Sequence, residues 1–209
     1  MATGERVATV AGLGRWVVDL AAADLVVVLA EGSVRLAERD EVDWRVVETL
    51  DGTRRLGEVE IPEGAGRELA GGSEAAQVAE RTRVRGLALL AAEAVGVAQA
   101  AVDLAVEHAK TREQFGKPIG SFQAVSHAIV DAFMGTELSR SLAIWAAAAI
   151  DAEDDEAALA AETAKRFAAK AAVAACEKAI QVHGGMGFTW EHPLHRYYRR
   201  AEGIAALLA

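Results

Sequence analysis

A change of composition at Gly71-Gly72 constrains the fold of this chain more than any other feature. Beyond the glycine pair, alanine, leucine, glutamate and arginine dominate, and the apolar residues follow helical spacing. One face at this spacing consists of Leu87, Leu90, Ala91, Ala94, Val95 and Ala98. The pattern predicts a long helix from Ser73 to Thr111, with Ser73 as its N-cap, because a serine hydroxyl can accept a hydrogen bond from a backbone N–H of the first turn.

Three further helices are predicted after the first. The second follows the KPIGS turn, with Ser121 as its cap. Its inward-facing residues are expected to be Val125, Ile129, Phe133, Leu138, Leu142 and Trp145. The third runs over Asp155–His183 and ends at Gly184-Gly185, and Pro193 suits the first turn of an amphipathic fourth helix over His195–Leu208. Four long helices joined by short turns predict a mainly α protein with an antiparallel four-helix bundle.

The segment before the bundle has the composition of β-strands. The predicted strands are Asp24–Ala30, Ser33–Leu36 and Trp44–Leu50. Glu31-Gly32 and Asp51-Gly52 supply the turn chemistry between them. This short β region is too small to predict a closed sheet of its own. We therefore divide the chain into a partial β domain, residues 1–72, and a helical bundle, residues 73–209.

Charge and composition exclude several classes of partner and site. The net charge of −9 gives no basic footprint for nucleic acid. No basic start with a long apolar core marks a signal peptide, and no uncharged apolar run has the length of a membrane span, so we expect a cytoplasmic protein without a membrane partner. Cys176, the single cysteine, lies in an alanine-rich stretch and is expected to be a small buried side chain.

The connection AKTREQFGKPIGSFQAVSH between the first two helices contains polar residues and glycines that a simple turn does not require. Arg112 offers a rigid fork of donors that suits phosphate, and Gly116 and Gly120 permit tight turns. Gln123 places an amide at the start of the second helix. These residues indicate either an anion site beside a helix start or a capped loop whose arginine pairs with a carboxylate.

The connection after the third helix, IQVHGGMGFTWEHPLHRYYRRAEG, contains a GGxG sequence. Gly184, Gly185 and Gly187 would allow a backbone or a planar ligand to approach closely, although most such sequences only terminate helices. The histidines His183, His192 and His195 have no cysteine or carboxylate partner at a convincing ligand spacing, so we predict no metal site.

Together the two connections identify a family. REQFGKPIGSFQAVSH and AIQVHGGMGFTWEHPLHRYYRR closely resemble the paired C-terminal signatures of acyl-CoA dehydrogenases, in the same order and at a similar separation. GLGRWVVDLAAADLVVV and LDGTRRLGEVEIP resemble the later part of that family's β domain. The resemblance implies a flavin-dependent oxidoreductase of fatty acid and lipid metabolism, in a shortened form without the family's N-terminal helical domain.

The resemblance also implies roles for particular residues in an oligomer whose FAD lies between subunits. Arg112 would contact the FAD pyrophosphate, and Gln181 and His183 would lie near the cofactor beside Gly184 and Gly185. The adenosine and ribityl region would be lined by Gln114, Phe115, Ile119, Phe122 and Gln123. Trp16 matches the aromatic residue that the family's β domain presents to the flavin, whereas Val18 stands where a threonine is expected.

The residues that would perform the reaction depart from the family pattern. An ungapped alignment equates the two usual positions of the catalytic glutamate with Leu208 and Gly86, neither of which can act as a base. The nearest carboxylates are those of Glu93, Glu191 and Glu202. The family's substrate-binding aspartate and arginine align with Val84 and Leu87, close to Arg83 and Arg85. The catalytic residue therefore stays unknown.

Three hypotheses remain open. The chain could be one subunit of an oligomeric dehydrogenase of acyl-CoA thioesters, with the base supplied by an unlike, full-length subunit and an electron-transfer flavoprotein as acceptor. Some actinobacterial members that resemble this chain work as such pairs. It could also be a non-catalytic FAD-binding or assembly subunit of the same fold, as loss of both base positions predicts. A truncated product would instead expose strand edges and an apolar bundle face and would be poorly soluble.

Overall fold

The structure, a computed structural model, describes residues 4–208. This part of the chain divides into two compact units between Arg83 and Val84, and Leu207 and Leu208 group with the first. Four α-helices account for most of it, and nine short strands and four 3₁₀ turns account for the rest of its regular structure. The predicted mainly α class, with a four-helix region after a short β region, is therefore confirmed.

The β unit contains two small sheets. Its strands are β1 (Ala8–Ala11), β2 (Val17–Val18), β3 (Leu25–Ala30), β4 (Ser33–Glu38), β5 (Asp43–Val47), β6 (Leu56–Glu60) and β7 (Arg67–Gly71). The first sheet has the order β1-β3-β4-β7 and the second β2-β6-β5. β1 runs parallel to β3, and the other pairs are antiparallel. The predicted turn at Glu31-Gly32 is confirmed, because Ala30 and Ser33 are paired across it.

Small and branched apolar side chains fill both cores of the β unit. One core consists of Ala11, Val17, Leu20, Val26, Val28, Ala37 and Val42. The other joins Leu29 and Val34 to Ala70 at the end of β7 and Ala75 in the first turns of the following helix. Each valine or leucine that is fully buried contributes about 1.5–3 kcal/mol of transfer free energy. The β unit therefore has apolar cores of its own, which the sequence did not predict.

The four helices lie close to their predicted positions. They are α1 (Gly72–Thr111), α2 (Gln123–Asp151), α3 (Ala157–His183) and α4 (Leu194–Ala206). Two predicted caps were wrong. Ser73 lies inside α1, which begins at Gly72 with φ +56°. Phe122 rather than Ser121 precedes α2, and the Ser121 hydroxyl donates to the Pro118 carbonyl at 2.7 Å, so it closes the preceding turn. α3 ends at His183 with Gly184 as C-cap, as predicted.

Alanine dominates the interface between α2 and α3. The buried alanines of α3 are Ala160, Ala161, Ala164, Ala168, Ala169, Ala172, Ala175 and Ala179. α2 faces them with small residues, which include Ala132, Thr136 and Ser139. A Cβ added at Gly135 would lie 3.5 Å from the Ala171 Cβ, which shows how closely the two backbones approach. Small side chains allow this approach because they keep interhelical distances short.

The predicted inward face of α2 was wrong for its largest residues. Phe133, Leu138 and Trp145 are 48%, 55% and 39% exposed. Because α2 turns its small residues toward the alanines of α3, the bulky residues are left on another side of the helix. Helical spacing alone does not distinguish an apolar stripe that packs within the chain from one that packs against another molecule.

Polar contacts join α1 to the rest of the helical unit. Arg140 of α2 donates to the Gln99 side chain at 2.6 Å, and Arg200 of α4 donates to the Glu93 carboxylate at 2.8 Å.

Lys165 of α3 is buried and donates to the carbonyl of Ala205 near the end of α4 at 3.1 Å. This burial lowers the pKa of the Lys165 ammonium.

α1 is also long and apolar enough to cross a membrane by length and composition. Of its most apolar 18-residue stretch, 44% is buried against the rest of the protein. Core helices of soluble proteins pass the same test, so this property is weak evidence for a membrane span.

Candidate functional site

The first motif forms a two-residue β-hairpin immediately after α1. Its strands are β8 (Glu113–Gln114) and β9 (Lys117–Pro118), and the turn between them is Phe115-Gly116. Both turn residues have positive φ, +54° and +76°, as a type I′ turn requires. Glycine adopts this conformation without strain, whereas phenylalanine rarely does. The hairpin therefore holds Phe115 at its tip, where the side chain is 92% exposed.

Arg112 anchors the base of this hairpin through its backbone. Its N–H donates to the His108 carbonyl at the end of α1, and its carbonyl accepts from the Ile119 N–H, both at 2.8 Å. The side chain of Arg112 is exposed, as are those of Gln114 and Gln123. The backbone that carries the guanidinium is thus fixed at both hydrogen-bonding groups, while the guanidinium fork faces solvent.

Phe122, just after the hairpin, contacts two of the hairpin's side chains. Phe122 meets Phe115 edge to face with ring centroids 6.1 Å apart, and the Lys117 ammonium lies 4.3 Å from the Phe122 centroid. Ile119 is partly buried in the turn that leads to α2. Gly120 approaches α1 closely, because a Cβ there would lie 3.0 Å from the Ala109 carbonyl oxygen. Packing against α1 therefore favours glycine at 120.

The second motif is a glycine turn at the end of α3. Gly184 has φ +61° and begins a short 3₁₀ turn over Gly184–Phe188. A Cβ at Gly187 would lie 2.6 Å from the Ile180 carbonyl oxygen, so packing demands glycine there. At Gly185 φ is not positive, and an added Cβ would meet nothing within 4 Å. Among residues 4–208, no atom beyond its chain neighbours requires glycine at 185, and the open space beside it suits an external ligand.

The structure brings the two motifs together at one end of the helical unit. His108, four residues before Arg112, stacks on His183, the last residue of α3, with ring centroids 4.3 Å apart. The His192 ring also contacts His183, with 4.4 Å between the ring centroids. The sequence did not single out His108, because its partner is 75 positions away and no local pattern links them. Gln181 is exposed one turn before the glycines.

Trp16 belongs to the β unit, immediately before β2. The Arg15 guanidinium lies 4.5 Å from the centre of its ring, an arrangement typical of a cation–π contact. Val18, which stands where the family has threonine, is in β2, and its carbonyl accepts a hydrogen bond from the Thr9 hydroxyl at 2.7 Å. The partly buried Trp16 ring therefore has one defined cationic neighbour within its own unit.

The three carboxylates nearest to the family's base positions lie in different surroundings. The Glu93 carboxylate is paired with Arg200. Glu191 is exposed, and hydrogen bonds from its own backbone amide and from Thr189 hold the pKa of its carboxyl below the usual value. Glu202 lies beside Tyr198 on α4, and burial together with the Glu202 and Glu177 carboxylates raises the pKa of the phenol. The catalytic residue therefore stays unknown.

The positions aligned with the substrate-binding residues are apolar and buried. Val84 and Leu87 are buried residues of α1. Arg83 donates to Glu80 one turn earlier, and this contact lowers the pKa of the Glu80 carboxyl.

Cys176 is buried in α3, where burial raises the pKa of its thiol to about 12, so it has no thiolate character near neutral pH.

Three comparisons relate this chain to known proteins. The family model for the C-terminal domain of acyl-CoA dehydrogenases matches residues 76–207. The acyl-CoA dehydrogenase FadE34 of Mycobacterium tuberculosis is 47% identical over 130 residues, which are 62% of this chain and 18% of that protein. The acyl-CoA dehydrogenase IpdE2 of Mycolicibacterium smegmatis is 35% identical over 208 residues, which are 100% of this chain and 61% of that protein.

The fold leads to the same family. The butyryl-CoA dehydrogenase of Megasphaera elsdenii superimposes with a TM-score of 0.86 at 25% identity, over 99% of this chain and 60% of that one. The chain thus spans 18% to 61% of the length of these three proteins. Because the family model covers more than half of its length, the chain belongs to the acyl-CoA dehydrogenase family, whose members are flavoproteins.

Proposed function

We propose that this chain is an FAD-binding subunit of an oligomeric acyl-CoA dehydrogenase, which acts on an acyl-CoA thioester in the cytoplasm. One observation carries the proposal. Two motifs far apart in sequence lie at one end of the helical unit, one with an exposed guanidinium and the other with an open glycine turn. A guanidinium fork suits a diphosphate, and exposed main chain suits a planar cofactor, so the residues fit FAD.

In this proposal the chain's own residues bind and orient the cofactor. Arg112 donates to the pyrophosphate oxygens, and the side-chain amides of Gln114, Gln123 and Gln181 remain available for polar groups. Gly184 and Gly185 present main chain without a side chain, and Phe115, Ile119 and Phe122 offer apolar area. His183 packs against the glycine turn at Gly187. When bound, FAD would accept the hydride removed from the acyl chain.

The proposed reaction also needs a base, and this chain has none at either family position. Leu208 and Gly86 occupy those positions, and the carboxylate of Glu93 is already paired with Arg200. We therefore propose that an unlike subunit of the same family supplies the carboxylate that removes the proton. An electron-transfer flavoprotein would be the electron acceptor, as the family resemblance implies.

Exposed apolar residues on α2 support an oligomer. They form a face at helical spacing, which we name the α2 apolar face: Val130, Phe133, Met134, Leu138, Ile144 and Trp145. Monomeric proteins rarely leave a contiguous patch of this kind in water, because its burial against another surface is favourable. A second subunit of the dehydrogenase family would cover it.

The alternative is a subunit that binds FAD without taking part in the chemistry. The observation that favours it is the loss of a carboxylate at both base positions while both motifs are kept. This alternative requires the same ligand contacts as the first proposal. It differs in predicting that bound flavin never becomes reduced by an acyl-CoA.

A visible absorption spectrum separates the two functions. The chain is purified alone and co-expressed with an acyl-CoA dehydrogenase encoded beside it, and butyryl-CoA or a longer acyl-CoA is then added without an electron acceptor. Flavin bound in the co-expressed complex and bleached by substrate would support the two-subunit dehydrogenase. Flavin that binds but stays oxidised with every acyl-CoA would favour the non-catalytic subunit. Absence of flavin from both preparations would overturn both.

A further inference from the structure

Three imidazole rings from three different segments stack at the end of the helical unit. His108 lies in the last turns of α1, His183 ends α3, and His192 precedes α4. The His108 and His183 rings are nearly parallel, with an angle of 21° between planes that lie face to face. The His192 ring is tilted by 53° against the His183 ring, and the two centroids are 4.4 Å apart. The stack is therefore the place where side chains of α1, α3 and the segment before α4 meet.

The central ring is fixed in one orientation and supports the glycine turn. The Nδ1–H of His183 donates to the Ala179 carbonyl at 2.8 Å, so in the neutral ring Nε2 carries the lone pair. His183 is buried, and Gly187 lies against it, since a Cβ added at Gly187 would be 3.1 Å from the His183 Cβ. The turn Gly184–Phe188 therefore packs directly against the residue that carries the central ring.

Burial and nearby cationic groups disfavour the protonated forms of His108 and His192. Burial lowers the pKa of His108 and of His192. His108 is further affected by His183, Arg112 and His192, and His192 by His183 and His195. Each of these neighbours is cationic when it is charged, so each opposes protonation of the ring beside it. The stacked contact therefore belongs to the neutral form.

We propose that the stack of His108, His183 and His192 is a pH-sensitive joint between the two motifs. With neutral rings it holds the end of α1, and with it the Arg112 hairpin, to the turn Gly184–Phe188. Protonation of His108 or His192 places a positive charge against the neighbouring rings and releases the turn from the hairpin. The joint is a property of the folded chain and does not rest on flavin binding. Its failure would therefore leave the proposed function standing.

The first test is the pH dependence of thermal unfolding of the full chain without ligand. A histidine whose folded pKa is lowered takes up protons in the unfolded state first, so stability falls as pH decreases from about 6.5. His108→Phe keeps an aromatic ring that cannot titrate. Between about pH 7.5 and 5.5, the melting temperature of the wild type should fall by about 2–4 °C more than that of His108→Phe.

His127→Gln is the matched control, because His127 is an exposed histidine of α2. It should keep the full pH dependence of the wild type. If His108→Phe does not fold, His192→Phe takes its place. An equal pH dependence in the wild type and in the stack variant would overturn the joint.

The second test observes the joint directly in the wild type by NMR. The ring signals of His108 and His192 should titrate with midpoints below 6.5, and the backbone amide signals of Gly185 and Gly187 should move with the same midpoints. Ring midpoints at or above 6.5, or glycine amides that do not follow the rings, would overturn the proposal. Neither readout depends on FAD.

Discussion

The Glu93 carboxylate on α1 accepts a hydrogen bond from the Arg200 guanidinium on α4, with 2.8 Å between oxygen and nitrogen. The two residues are 107 positions apart, and their side chains are 31% and 20% exposed. A carboxylate held in this way is occupied in a contact between two helices. We therefore propose that Glu93 is a structural residue of the helical unit and not a catalytic base.

Replacement of Arg200 by Gln should lower the free energy of unfolding by about 1 kcal/mol, which corresponds to about 2–4 °C in melting temperature. The loss is modest because both side chains are partly exposed and solvent screens the charge. Glu80→Gln removes an exposed ion pair with Arg83 within α1 and should change stability by less than about 0.5 kcal/mol. Differential scanning calorimetry measures both.

In the co-expressed complex, Glu93→Gln should lower stability to a similar extent while flavin reduction by acyl-CoA continues. Removal of a general base slows a reaction by about 10²–10⁴-fold. A loss of that size in Glu93→Gln, with the bound flavin unchanged, would show that Glu93 is the base after all.

The sequence predicted the helices and motifs well because these depend on local patterns. α3 ends at Gly184 as the glycine pair indicated, and the turn at Glu31-Gly32 joins two predicted strands. Strands β6 and β7, LGEVE and RELAG, were missed because their glycines and charged residues lack the β-branched composition of β3. β6 pairs with β2 and β5, and β7 pairs with β4, so hydrogen bonds to other strands rather than local propensity make them strands.

Relationships between distant residues were beyond the sequence. His108 and His183 are in contact only because α1 and α3 end at the same place. The exposed position of Phe133 depends on which side of α2 faces the alanines of α3, and both sides follow helical spacing. The roles predicted for Arg112 and the other cofactor contacts stay predictions, which binding measurements can test.

Replacement of Arg112 by Gln should weaken FAD binding by about 10–100-fold, because a charge-assisted hydrogen bond contributes about 1.5–3 kcal/mol. Arg112→Lys keeps the charge but loses the planar fork, so it should give an intermediate affinity. Neither change should alter the melting temperature of the ligand-free chain, since the side chain is exposed. Quenching of flavin fluorescence in the co-expressed complex measures the affinity.

Arg166→Gln is the control for Arg112, because Arg166 is an exposed arginine of α3 and about 25 Å of helix separates it from His183. It should bind FAD like the wild type. If Arg112→Gln and Arg166→Gln bind FAD equally well, the first motif does not hold the pyrophosphate.

Gly185 and Gly187 should respond to alanine in opposite ways. Gly185→Ala adds a methyl group where, in the described part of the chain, no atom beyond its chain neighbours lies within 4 Å. The melting temperature should therefore not change, whereas FAD affinity should fall by about tenfold. Gly187→Ala forces a Cβ against the Ile180 carbonyl and should cost about 1–3 kcal/mol of stability. Thermal unfolding and flavin titration of both variants provide the comparison. A Gly185→Ala variant with normal FAD affinity would place the cofactor elsewhere.

The α2 apolar face should be needed for assembly and not for folding. Phe133→Asp combined with Leu138→Asp changes two side chains that are about half exposed, so helix content by circular dichroism should be unchanged. The charges would have to be desolvated within an interface, which should separate the subunits. Ala147→Asp, at an exposed position of the same helix outside this face, should leave the assembly intact. Sedimentation velocity of the co-expressed complex distinguishes these outcomes, and a double variant that still sediments with its partner would require the interface to lie on another surface.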